Sequence, residues 1–193
     1  MSTNLLLAMA LPQENAGNRL GQLGHEIIYT GVGKVNAALH LSAALAGRRP
    51  ENLLVVNLGS AGSHVYDAGT VICATRFFER DMDATALGFA LGQTPFEDHT
   101  YLEYGLAIPG LPQAACYTGD SFVTSHHPSL RFDIIDMEAY ALAKVAQHMG
   151  VPFLSLKFIT DGANGHAASA WSEAVVMAAE KLHDALEQAL PHL

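Results

Sequence analysis

The sequence predicts an α/β fold, on three observations. Compact apolar runs alternate with segments whose apolar residues recur at helical spacing. Half of the residues are hydrophobic and 15% are charged, so a chain of 193 residues has ample material for a core. Several strand-like runs end in small or acidic residues: Gly59-Ser60, Asp136 and Thr160-Asp161. Ligands of open α/β sheets sit at the carboxyl ends of strands, so these residues are expected to converge on one rim.

The elements follow in order. Asn4 to Met9 reads as a buried first strand. Leu5-Leu6-Leu7 before Ala8-Met9-Ala10 imitates a short signal peptide, but no Lys or Arg precedes it and the apolar run is short for one. His25 to Tyr29 is a second strand, and Gly31-Val32-Gly33 breaks the chain. Val35 to Ala46 is rich in Ala and Leu at helical spacing, with Gly47 and Pro50 marking its end. Leu53 to Leu58 reads as a central buried strand ending at Gly59, and Thr70 to Thr75 as another. Phe77 to Thr100 is expected to be loop with a short strand. Ala114 to Tyr117 suits a strand running into the turn Thr118-Gly119-Asp120. Asp133 to Ile135 is a short strand, and Met137 to Met149 a helix closed by Gly150-Val151-Pro152. Phe153 to Ile159 is a strand ended by Asp161-Gly162. Ala167 to Leu190 is a long helix with Ala, Val, Met and Leu on one face. No repeat, low-complexity tract or linker interrupts the order, so residues 1–193 are expected to form a single domain.

Charge narrows the partners. Ten Lys and Arg stand against nineteen Asp and Glu, a net charge of -9, and the basic residues form no run beyond Arg48-Arg49. Nucleic acid and anionic membrane demand a dense positive face, so neither is expected as partner. A neutral or cationic small molecule meets no electrostatic penalty. No stretch approaches a membrane span. The two cysteines, Cys73 and Cys116, lack metal-ligand spacing and read as buried, reduced thiols of a cytoplasmic protein.

Some motifs tempt and fail. Gly31-Val32-Gly33-Lys34 lacks the spacing and the Ser or Thr of a Walker loop. Gly59-Ser60-Ala61-Gly62 lacks the register of a nucleophile elbow and reads better as a strand-to-loop turn where backbone approaches a ligand. His126-His127 reads as solvated loop rather than a metal site, because neighbouring side chains on a strand point apart. Trp171 reads as packing or dimer surface. Neither a metal nor a cofactor is expected.

Three segments resist a purely structural explanation: Asn57 to Gly62, Asp136-Met137-Glu138-Ala139 and Thr160-Asp161-Gly162. An acid opening a helix is often a cap, which suits Asp136 alone. It suits Glu138 less, since the helix it opens is otherwise apolar. Together with Gly31 to Ala38, Asp81 to Thr85, Leu87-Gly88-Phe89, Gly92-Gln93 and Thr118 to Phe122, in this order, the segments resemble the purine nucleoside phosphorylase and nucleosidase superfamily. Within it they resemble most the 5′-methylthioadenosine/S-adenosylhomocysteine nucleosidases, and the resemblance runs from Thr30 onward.

The resemblance implies a fold and a site. The fold is a three-layer αβα sandwich around a twisted mixed β-sheet, in a compact variant. Phe122 stacks on the base and the Val123 backbone reads its adenine edge. Met137 packs on the ribose, and Glu138 accepts hydrogen bonds from its 2′- and 3′-hydroxyls. Asp161, after Thr160, donates a proton near N7. Ser60, Ala61 and Gly62 line the pocket near the attacking water. The chemistry fits. Glycosidic cleavage passes through an oxocarbenium-like state, which a carboxylate on the ribose stabilises. The purine leaves poorly unless N7 is protonated, so a general acid must hold its proton near neutrality.

The third carboxylate is displaced. The family places an essential Glu directly after the first strand, where this chain has Ala10-Leu11-Pro12-Gln13. Glu14 is the first acid, and a turn at Pro12 can absorb the offset. Glu14 is therefore either the water base or a solvated loop residue. The chain is also shorter than its relatives between Glu14 and Thr30 and between Gln93 and Cys116, with a helix missing at each place and the 5′ substituent left open. Arg80 stands where nucleosidases carry His, and it or Arg76 can meet an anionic group. Phosphorolysis is the rival reaction, disfavoured because no Arg precedes the Gly59-Ser60 turn. A nucleoside-binding homologue without turnover and a structural subunit also stay open, the latter requiring Glu138 and Asp161 far apart. Asp161, where relatives acting on 6-oxopurines have Asn, implies a 6-amino purine. The resemblance also implies a homodimer.

Overall fold

Alternating apolar runs fold as parallel strands where each is covered on both faces. In the computed structural model, which describes residues 4–124, 132–164 and 167–193, this produces one mixed eight-stranded sheet. Its strands are β1 (Asn4–Met9), β2 (Glu26–Tyr29), β3 (Leu53–Gly62), β4 (Val71–Glu79), β5 (Tyr101–Glu103), β6 (Gln113–Thr118), β7 (Ile134–Asp136) and β8 (Phe153–Asp161). The order is β2-β1-β3-β7-β6-β4-β5, with β8 lying between β3 and β4. β3, β8, β4, β6 and β7 thus form a closed ring of paired strands, joined at Gly62 opposite Ile135.

Residues alternate across each strand, and the core divides accordingly. Leu6, Ala8 and Val55 face the helices α1 (Lys34–Leu45) and α2 (Ala139–His148). Leu5, Leu7, Met9, Leu54 and Val56 face α3 (Ala167–Ala189). The three layers are those expected. α3 buries Val175, Ala178, Leu182, Ala185, Leu186 and Ala189, spaced to keep one stripe on the sheet. Its Met177 is 54% exposed, so the methionine expected on that face lies off it.

Two strands run further than their apolar runs. β3 passes through Gly59 and ends only at Gly62, so the expected turn at Gly59 is strand; pairing with β8 carries it on. β4 extends to Glu79 because β6 and β5 flank it. Between Ala61 and Gly62 the register with β8 shifts by one: Ala61 faces Ile159 but Gly62 faces Asp161, leaving Thr160 as an extra residue. A bulge of this kind turns neighbouring side chains toward one side. Short 3₁₀ turns (Pro12–Asn18 and Leu20–Leu23) fill the first shortened region, and β5 the second, with no α-helix in either. Cys73 and Cys116 are buried and unlinked. No helix among the described residues is long and apolar enough to cross a membrane. His126 and His127 lie outside the described residues.

Candidate active site

The strand ends meet as expected. They frame a cavity of about 240 Å³ lined by Ser60, Ala61 and Gly62 from β3, by Asp136 from β7, and by Thr160 and Asp161 from β8. Met137 and Glu138 enter it from the junction of β7 and α2, Phe122 and Val123 from the loop after β6, and Glu14 from the first 3₁₀ turn. All ten residues proposed from the sequence therefore face one space. Glu138 and Asp161 share it, contrary to the arrangement a purely structural subunit requires.

Glu14 is 2% exposed, which overturns the solvated-loop reading. Pro12 opens the turn, and the chain folds back on itself. Glu14 Oε2 accepts the Leu11 N–H at 3.2 Å, while Oε1 accepts both the Ser60 N–H and the Ser60 hydroxyl at 2.7 Å. β3 makes room for this. A Cβ on Gly59 would lie 3.2 Å from Glu14 Oε1, and one on Gly62 only 2.8 Å from Asp161 Oδ1. The glycines expected to let backbone approach a ligand instead admit the protein's own carboxylates.

Asp161 is 6% exposed. Its Oδ1 accepts the Ala163 N–H at 2.9 Å, and the Thr160 hydroxyl lies 2.8 Å from its Oδ2. A regular strand would send Thr160 and Asp161 to opposite faces; the bulge lets both line the cavity. Glu138 occupies the position before the first turn of α2, and its Oε1 accepts the Gly33 N–H at 2.9 Å. Burial, the charge of Asp136 and, more weakly, that of Glu14 push the Glu138 carboxyl up to about 7, against the opposing pull of Lys157 and the Gly33 N–H.

One lining residue, Asp136, belongs to an ion pair that sequence reasoning missed. Lys157 Nζ sits 2.7 Å from Asp136 Oδ2, both side chains 1% exposed. Burial opposes the charge on each, yet their mutual attraction holds the lysine above its ordinary value and the aspartate below its own. Thr118 donates to Asp136 Oδ1 and the Ala139 N–H to Oδ2, so the aspartate does also cap α2. A lone Lys inside the apolar run Phe153 to Ile159 was the available sign, because a buried ammonium demands a partner. Trp171 was also misassigned: it lines the cavity, and its indole N–H donates to Ser60 Oγ at 3.0 Å. A half-buried indole N–H usually finds an acceptor, which was the clue.

The cations suggested for an anionic group are engaged elsewhere. Arg80 donates to the Ser121 carbonyl at 2.8 Å and Arg76 is exposed; neither lines the cavity. Lys34, after the failed Walker-like glycines, sits 2.7 Å from Glu79 and 2.6 Å from Asp81. A pocket lined by four carboxylates, one of them paired with Lys157, and by a half-exposed Phe122 suits a neutral, aromatic ligand that gains positive charge as it reacts.

A family model described as the phosphorylase superfamily matches residues 19–191. The 5′-methylthioadenosine/S-adenosylhomocysteine nucleosidase of Listeria monocytogenes serotype 4a is 31% identical over 188 residues, covering 82% of this chain and 78% of that protein. The protein of the same name from Actinobacillus succinogenes is 30% identical over 175 residues, covering 80% and 75%. Among solved structures, the 5′-methylthioadenosine/S-adenosylhomocysteine nucleosidase of Helicobacter pylori has a TM-score of 0.84 at 22% identity, with 100% of each chain covered. The futalosine hydrolase of Helicobacter pylori strain 26695 has a TM-score of 0.86 at 21% identity, covering 100% and 99%. The structural likenesses establish the fold, and the sequence matches the kinship: the chain belongs to the phosphorylase superfamily, in its 5′-methylthioadenosine/S-adenosylhomocysteine nucleosidase branch.

Proposed function

We propose that this protein hydrolyses the N-glycosidic bond of an adenine nucleoside such as 5′-methylthioadenosine or S-adenosylhomocysteine, releasing adenine. The observation that carries the reading is the meeting of Glu14, Glu138 and Asp161 in one cavity. Glu138 accepts hydrogen bonds from the ribose hydroxyls, which draws it into its charged form and stabilises the oxocarbenium-like state. Asp161, with both oxygens held, gives its proton to N7 of the departing base. Glu14 takes a proton from water, whose oxygen attacks the anomeric carbon. Phe122 stacks on the purine, the Val123 backbone reads its edge, and Met137 packs on the sugar. Thr160 steadies Asp161, while Ser60, Ala61 and Gly62 form the wall beside the water. Asp161 in place of an amide favours a 6-amino purine.

Water as acceptor is supported by the lining of the cavity, which contains no arginine among the described residues. The test is adenine release from 5′-methylthioadenosine, followed with and without inorganic phosphate. Release in phosphate-free buffer is expected; strict dependence on phosphate, or binding without release, would sink the hydrolase reading. The reading extends to a cytoplasmic homodimer. Unlinked Cys73 and Cys116 suit a reducing compartment. Val35 and Leu39, one turn apart on α1, are 76% and 60% exposed, and a partner would cover them. Sedimentation equilibrium should return twice the chain mass; a monomer would remove the dimer from the proposal.

A further inference from the structure

Trp171 is the chain's single tryptophan, and it reaches the site from α3 rather than from a strand end. Its indole N–H can donate and cannot accept. At 3.0 Å it occupies one lone pair of Ser60 Oγ. Ser60 has one hydroxyl proton, and at 2.7 Å from Oγ stands Glu14 Oε1. The chain of hydrogen bonds therefore has one direction: Trp171 N–H to Ser60 Oγ, Ser60 O–H to Glu14 Oε1. The Ser60 N–H also donates to Oε1 at 2.7 Å, so that oxygen is filled twice over. Among the described residues, Oε2 receives only the Leu11 N–H, at 3.2 Å.

We infer that Trp171 is a positioning residue for hydrolysis: by fixing the Ser60 hydroxyl as a donor to Glu14 Oε1, it leaves Oε2 as the oxygen that takes the proton of the attacking water. The inference rests on the hydrolase reading and deepens it. When a water O–H bond breaks, its proton goes to Oε2 and its oxygen forms the bond to the anomeric carbon, while the electrons of the glycosidic bond leave with the base. Ser60 and Trp171 keep their own protons throughout. A donor feeding a donor also strengthens the second bond, so the indole acts on the carboxylate through the serine. Without the indole N–H, the Ser60 hydroxyl is free to turn toward the cavity, and Oε1 competes with Oε2 for the water.

Trp171→Phe keeps an aromatic ring and removes the N–H. The expected result is a fall in kcat of about ten-fold with KM within about two-fold, since the interaction acts on the reacting water rather than on bound substrate. Ser60→Ala should lose a similar factor, and the double variant should be no slower than the slower single, because the two residues act in series. Loss confined to KM, or losses that multiply in the double variant, would mark Trp171 as a simple pocket wall and overturn the inference. A second readout needs no turnover. The chain has one indole, so a ¹⁵N-labelled sample gives one indole N–H cross-peak, which should move in Glu14→Gln although Trp171 and Glu14 share no direct bond. A stationary peak overturns the relay. Wild-type protein that releases no adenine defeats the hydrolase reading instead, and the cross-peak still decides the hydrogen-bond chain.

Discussion

A carboxyl that titrates near neutrality inside a fold leaves two measurable traces, and Glu138 supplies both. Its folded value of about 7 stands above the ordinary 4.5. Between these values the folded chain holds a proton that the unfolded chain has released, so stability is full below 4.5 and is lost as pH rises through about 7. Glu138→Gln abolishes that loss. Ligand-free Glu138→Gln is expected to gain on the order of 3 kcal/mol over wild type at pH 8 and nothing at pH 4, which calorimetry reads as a melting gap that closes on acidification. An equal gap at both values would refute the assignment. The same group should set an acid limb in kcat/KM, rising with pH through about 7, because the free enzyme must present the carboxylate to the ribose. Asp161→Asn is expected to lower kcat by about 10²–10⁴, the range of a lost general acid. Glu138 and Asp161 were legible as residues because each interrupts an apolar run at the end of an element. Glu14 was only half legible: its identity was in the sequence, but its burial depends on a 3₁₀ turn folding back onto β3, a contact made across 46 residues.

At the scale of elements, strand β3 is shaped by what it lacks. Gly62→Ala would put a methyl 2.8 Å from Asp161 Oδ1 and 3.3 Å from the Ala163 side chain, and Gly59→Ala one 3.2 Å from Glu14 Oε1. A displaced acid costs about 10²-fold when moved by about an ångström. Gly62→Ala should therefore be the slower variant, with Gly59→Ala intermediate; the reverse order in steady-state rates would contradict the geometry. β7 and β8 are joined by the Asp136–Lys157 pair. Lys157→Met leaves a buried carboxylate unpaired and should cost about 3–5 kcal/mol in urea unfolding, with Asp136→Asn added on top restoring part of it. Helices and strands other than β5, which lies beyond the stretch expected to hold a short strand, were legible by period alone, to within a residue or two. The extra length of β3 and β4 was not. Gly59 and Gly62 carry no strand preference of their own, and partner strands from distant sequence hold them in the ladder.

The whole molecule binds site and core into one unit. The cavity sits on the closed ring of β3, β8, β4, β6 and β7, whose pairings join residues far apart in sequence. Local opening of the pocket wall without loss of the ring is therefore disfavoured. In a urea titration, the emission of Trp171, the far-ultraviolet signal and the adenine-releasing activity should fall in a single coincident transition. Activity lost well before secondary structure would show that the pocket opens on its own. The α/β class was legible in apolar periodicity, and the three layers only through the family resemblance. The ring closure was not, since it rests on one pair of residues, Gly62 and Ile135, at a strand only three residues long.

The extra residue at Thr160 has a consequence for how such a chain can change. Point substitutions in β8 alter a side chain and leave its neighbours where they are. Removing Thr160 would do the opposite: Ile159 and the aspartate would fall into regular pairing opposite Ala61 and Gly62, the ladder would gain regularity, and the two adjacent side chains would part to opposite faces. The acid would keep its identity, its strand and its partner glycine, yet lose the hydroxyl beside it and its view of the cavity. Descendants of this chain are held to the length of β8 as firmly as to the buried side chains along it.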